Sequence, residues 1–155
     1  MTIYPKSVMT PKRLALMDFA RSENPTHLLT LNFHDRYTPE DAEKRVERWY
    51  IQVMHRLFRK PRVELNKQIN FVAFPEYTKS WHIHYHAAVR IPMDYVGAFT
   101  RVGAASWKRI VPSSTFDLRE IGGTADDLTD TLLYITKSSS SERVIHSSMF
   151  TPRVQ

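Results

Sequence analysis

The run Trp81-His82-Ile83-His84-Tyr85-His86-Ala87-Ala88-Val89 places a histidine at every second position over a short apolar stretch. Successive side chains of an extended strand point to opposite faces, so His82, His84 and His86 share one face while Ile83, Tyr85 and Ala87 share the other. The segment reads as a strand with a core on one side. Its imidazole side has the chemistry to hold a metal.

The rest of the chain supplies a sheet around that strand. Thr10-Pro11 is a capping hydroxyl before a proline at a first helical position, which predicts an N-terminal helix over about 10–22 with Leu14, Leu16 and Met17 facing inward. His27 to Phe33 reads as a strand of the sheet. Thr38-Pro39-Glu40-Asp41 opens a second helix over about 39–59, along which Val46, Trp49, Tyr50, Val53 and Leu57 recur at helical spacing, and Pro61 stops it. Gln68 to Glu76 and His82 to Ile91 form an antiparallel hairpin across Tyr77-Thr78-Lys79-Ser80. A weaker helix follows from Met93 to Ala105, with strand at Arg109-Ile110-Val111 and Thr115 to Ile121. After Gly122-Gly123 a last helix begins near Thr124 and carries Leu128, Leu132, Leu133 and Ile135.

This order predicts an α+β, ferredoxin-like split β-α-β unit with a central antiparallel sheet, an added N-terminal helix and a closing C-terminal helix. A chain of 155 residues with 42% hydrophobic and 25% charged residues fits one domain over 1–155, with a core at about 26–138 and a flexible polar tail at about 139–155. The net charge of +6 favours a polyanionic partner, nucleic acid first. With no cysteine, a metal must be held by imidazole, carboxylate or carbonyl groups. No apolar stretch approaches the roughly 20 residues that span a bilayer, and the start lacks a secretory signal, so the expectation is a cytoplasmic protein with no membrane partner.

Glu76 lies on the strand preceding the histidines in the same hairpin. There a carboxylate comes alongside the imidazole face, and two imidazoles with one carboxylate leave open positions on a divalent ion. Residue spacing alone leaves open which two histidines take part.

The segment Glu76 to His86 resembles the second motif of the HUH endonucleases, the rolling-circle replication initiators, in which an acid precedes a His-hydrophobic-His pair by a hairpin's length. Thr26 to Phe33 is similar to that family's first motif, and Tyr134-Ile135-Thr136-Lys137 to its third, a tyrosine followed three residues later by lysine. The resemblance covers about 26–138. It implies the HUH-type fold, a metal site of His84, His86 and Glu76 with His82 as an extra candidate, and Tyr134 and Lys137 as catalytic residues. It also implies Mn2+ or Mg2+ as cofactor. The implied reaction is site-specific nicking and rejoining of single-stranded DNA through a 5′-phosphotyrosine, with an origin hairpin as substrate and a host helicase for unwinding.

The chemistry is coherent residue by residue. A phenol ionises near pH 10 and needs a nearby cation to attack at neutral pH. Lys137 stands one turn beyond Tyr134, and a divalent ion can act as a Lewis acid on the same phosphate. Arg56, Arg59, Lys60, Arg62, Lys79, Lys6, Lys12 and Arg13 are candidate phosphate contacts; Tyr77, Trp81 and Trp107 are candidates to stack on unpaired bases. His27 or His34, on or near the first strand, is a further candidate to lie close to the metal. Other readings are a single-tyrosine transposase or a relaxase of a mobile element, and a non-catalytic nucleic-acid-binding module of the same fold.

Overall fold

The computed structural model describes residues 9–59, 68–77, 82–137 and 143–150. Three of its helices start where the sequence offers an acceptor to the free N–H groups of a first turn. Thr10 accepts from the Arg13 amide to open α1 (Pro11–Ser22), and Thr38 accepts from the Asp41 amide to open α2 (Pro39–Phe58). Thr124 opens α4 (Ala125–Thr136) with a capping box, its hydroxyl accepting from the Asp127 amide and the Asp127 carboxylate accepting from its own. Arg59 adopts φ 53° and terminates α2.

Five strands, β1 (His27–Phe33), β2 (Asn70–Tyr77), β3 (Ile83–Arg90), β4 (Ser114–Glu120) and β5 (Ile145–His146), form one sheet in the order β4-β1-β3-β2-β5, with every neighbouring pair antiparallel. With α2 after β1 and α3 (Val96–Ile110) after β3, the first four strands have ferredoxin-like connectivity. The fold is the α+β sheet that the sequence predicts. β5 extends it at the β2 edge.

Side-chain alternation builds two cores on this sheet. On one face Leu29, Leu31, Phe33, Phe71, Tyr85, Ala87 and Val89 meet Val46, Trp49 and Val53 of α2 and Phe99, Trp107 and Ile110 of α3. On the other, Val72, Phe74 and Ala88 meet Met17 and Ala20 of α1 and Leu132 and Ile135 of α4. Each fully buried large side chain contributes roughly 1.5–3 kcal/mol by leaving water. Beyond Phe74 and Ala88 the second face turns polar.

Several expectations change. Arg109 and Ile110 are not strand: α3 runs to Ile110 because Phe99, Gly103, Ser106, Trp107 and Ile110 continue one buried stripe. Leu14 is 47% exposed, since Arg13, Met17 and Ala20 occupy the inward face of α1. Trp107 cannot stack on a base, being fully buried with its ring at 5.0 Å from that of Phe33. The tail is not loose throughout. Ile145 pairs with Ala73 and His146 with Val72, and Ser147 and Phe150 are buried in the short 3-10 turn that follows. Among the described residues no helix is long and apolar enough to cross a membrane.

Candidate metal centre and neighbouring tyrosine

Antiparallel register sets three side chains beside one another. Glu76 of β2 pairs with His84 of β3, which pairs on its other side with Asn32 of β1; in the next row Phe74 pairs with His86, and His86 with Thr30. Alternation turns Glu76, His84, His86, Thr30 and Asn32 toward the face that α1 and α4 cover only in part. The polar rows therefore sit at the open end of the second core.

Both imidazoles aim Nε2 at the same carboxylate oxygen, Oε2 of Glu76, at 3.2 Å from His84 and 3.1 Å from His86. The three ligand atoms lie within 4.8 Å of one another, and among the described residues this is the one such group able to hold a metal ion. Thr30 Oγ1 lies 3.1 Å from Nδ1 of His86. A proton on Nδ1 would leave the Nε2 lone pair facing the carboxylate, an arrangement of acceptors that a divalent cation satisfies. Two nitrogens and a carboxylate oxygen suit Mn2+ or another borderline-hard ion with open coordination positions.

The electrostatics favour the ligating protonation states. Burial first, then the charge of His84, holds His86 below its ordinary value and so neutral. For Glu76 burial opposes ionisation, but the hydrogen bond and charge of His84, with the charges of Lys137 and His86, outweigh it and hold the carboxyl below the usual range.

The last turn of α4 completes the neighbourhood. The Tyr134 ring, 38% exposed, lies 5.1 Å from the His86 ring, and Lys137 Nζ stands 4.3 Å from the Tyr134 ring centre. The sheet hairpin and the closing helix thus bring Glu76, His84, His86, Tyr134 and Lys137 together. His82 immediately precedes β3 and is not a member of the three-residue group.

Other sequence candidates lie elsewhere. His27 is on the opposite face of β1, by alternation with Leu29 and Leu31, and is hydrogen-bonded to Thr26 Oγ1; His34 lies beyond the strand and is exposed. Arg13 is 6% exposed, so it is no phosphate contact: it donates from Nε to Thr136 Oγ1 at 3.0 Å and from Nη2 to the Leu133 carbonyl. Lys12, Arg56 and Arg59 are exposed. Lys6, Lys60, Arg62, Lys79 and Trp81 lie outside the described residues. Tyr77, 43% exposed, follows Glu76 and lines a groove of about 410 Å³ with Arg36, Tyr37, Thr38 and Pro39. Sequence reasoning missed Thr30, Asn32 and the buried role of Arg13. Strand alternation from Leu29 and Leu31 marks the first two; nothing in the sequence marks the third.

A crystal structure of the hypothetical protein ORF119 from Sulfolobus islandicus rod-shaped virus 1 aligns with a TM-score of 0.48 and 19% sequence identity, over 84% of this chain and 96% of that one. No curated protein matches. Residues 26–139, from the start of β1 to just beyond α4, match the model of one family, and the chain belongs to that family, the replication-associated proteins of the ORF2 type.

Proposed function

We propose that this protein is a metal-dependent, HUH-type endonuclease that nicks and rejoins single-stranded DNA to start rolling-circle replication. The observation that carries this reading is the packing of Tyr134 on His86 with Lys137 beside it, which joins a nucleophile and a cation to a metal-binding group. Family membership supports a role in replication.

Glu76, His84 and His86 would hold Mn2+ or Mg2+, which supplies Lewis-acid polarisation of the scissile phosphate. Tyr134 Oη attacks phosphorus, a bond to that oxygen forms, and the P–O3′ bond breaks to leave a 3′-hydroxyl and a 5′-phosphotyrosine. Lys137 stabilises the negative charge on phenolate and phosphate as it develops. The reverse attack by a 3′-hydroxyl rejoins the strand and frees the tyrosine. Arg36, Tyr37 and Tyr77 offer a charge and two aromatic surfaces to the strand beside the cut.

A single-tyrosine transposase would share this chemistry, but in its pattern the third ligand follows the tyrosine on its helix. Here it stands upstream, at Glu76 on β2. Incubation with origin-like single-stranded DNA and Mn2+ should give a covalent protein–DNA band on a denaturing gel, and Tyr134→Phe should give none. A parent protein that cuts nothing and forms no adduct is instead a non-catalytic binding module.

A further inference from the structure

α1 lies before residue 26, where the family match begins, yet it is bound to the helix that carries Tyr134. Met17 and Ala20 of α1 share a buried cluster with Leu132 and Ile135 of α4. Two arginines of α1 reach polar groups of α4 at separate points. Arg21 donates from Nη2 to Thr129 Oγ1 at 3.1 Å, near the middle of α4 and away from the site. Arg13 reaches the last turn.

The Arg13 bonds differ in kind. The Leu133 carbonyl belongs to the peptide that joins Leu133 to Tyr134, and Thr136 Oγ1 itself donates to the Leu132 carbonyl at 2.7 Å. Arg13 thus holds the backbone on the N-terminal side of Tyr134 and, through Thr136, the turn that ends at Lys137. Carbonyls of a helix's last turn have no partner within the helix, and a cation there also meets the negative end of the helix dipole. A charged donor to such groups is stronger than a neutral one, and at 6% exposure little water competes with it. A planar guanidinium with several fixed donors can serve both acceptors at once, which an ammonium cannot.

We infer that Arg13 is a positioning residue: from α1 it clamps the last turn of α4 and so fixes Tyr134 and Lys137 over the Glu76-His84-His86 group. The consequence for activity rests on the nuclease reading. The clamp itself does not. Misplacing a reacting atom by about 1 Å costs on the order of a hundredfold in rate, so loss of the clamp should appear in the chemical step before it appears in binding.

The test compares Arg13→Gln with Arg21→Gln, which cuts the other α1–α4 tie but leaves the last turn alone, and with Thr136→Val, which removes one Arg13 acceptor from the opposite side. Amide hydrogen exchange on the DNA-free protein should quicken at residues 133–137 in Arg13→Gln and Thr136→Val and stay near the parent rate there in Arg21→Gln. Under single turnover with saturating single-stranded DNA and Mn2+, adduct formation should slow by about ten- to a hundredfold in Arg13→Gln, with DNA and Mn2+ affinities held. Arg13→Lys should recover only part of the rate. Unchanged exchange in the last turn overturns the clamp. Equal slowing in Arg13→Gln and Arg21→Gln, tracking lost thermal stability, reduces Arg13 to a structural residue. A parent protein that forms no adduct, with Arg13-dependent exchange intact, overturns the nuclease reading and leaves the clamp standing.

Discussion

At the scale of single residues, the site depends on which atom each side chain presents and on what holds it. Thr30 touches no ligand position on Glu76 or His84, but it meets Nδ1 of His86 and so orients Nε2 toward Glu76. Losing such a partner typically weakens a metal site by ten- to a hundredfold. Thr30→Val should therefore lower Mn2+ affinity by about tenfold in a calorimetric titration, while Glu76→Ala or His86→Ala should abolish measurable binding. His82→Ala should change it least; a loss equal to that of His86→Ala would move His82 into the ligand set. Binding should also weaken on the acid side. His86 is held below the ordinary imidazole value by burial and then by His84, and only its neutral form ligates, so protons begin to compete for it only below about pH 6.5. The histidine face and Glu76 were legible in the sequence because a period of two and a hairpin's length are local facts. Thr30 was not, because its partner is 56 positions away in the chain.

At the scale of elements, ends proved more legible than edges. Thr10, Thr38 and Thr124 each cap the helix that the sequence predicts after them, since an N-cap is a contact over three residues. Removing the Thr124 hydroxyl breaks one half of a reciprocal pair, so Thr124→Ala should cost about 1 kcal/mol, read as a lowered urea midpoint with unchanged slope. Because α4 carries Tyr134, faster exchange of its first turn should accompany that loss. α3 was read short: Gly97 and Gly103 suggested a break, but a buried glycine lets the helix approach its neighbours. The Gly103 carbonyl accepts from Trp49 Nε1 at 2.9 Å, and a Cβ at Gly103 would stand 3.1 Å from the Phe116 ring. β5 was not readable at all. Two residues have no period, and Ile145 and His146 become strand only because the β2 edge offers them unpaired backbone groups.

At the scale of the whole molecule, one sheet faces two cores, and burial governs its response to base. Tyr50 donates to the Ile69 carbonyl at 2.9 Å inside the larger core, and burial pushes its phenol up to about 12. The unfolded chain releases that proton near pH 10, so between about 10 and 12 the folded state binds more protons. Stability is therefore complete below about pH 10 and falls as pH rises through that window. Tyr85, raised in the same direction by burial, adds to the effect. Tyr50→Phe should be less stable at neutral pH, through the unpaired Ile69 carbonyl, yet show a shallower loss in urea melts carried toward pH 11. A slope equal to the parent's would assign the loss to other groups. The sequence by itself determined the strands, the helix starts, the antiparallel hairpin and the chemistry of its histidine face, because capping and alternation act between near neighbours. Only the tertiary structure decided that Arg13 is buried against α4, that Trp107 belongs to a core, that the tail closes the β2 edge, and that Tyr134 rests on His86. Each of these is a contact between segments far apart in the chain, settled by which surfaces of the two cores find partners and not by any local pattern.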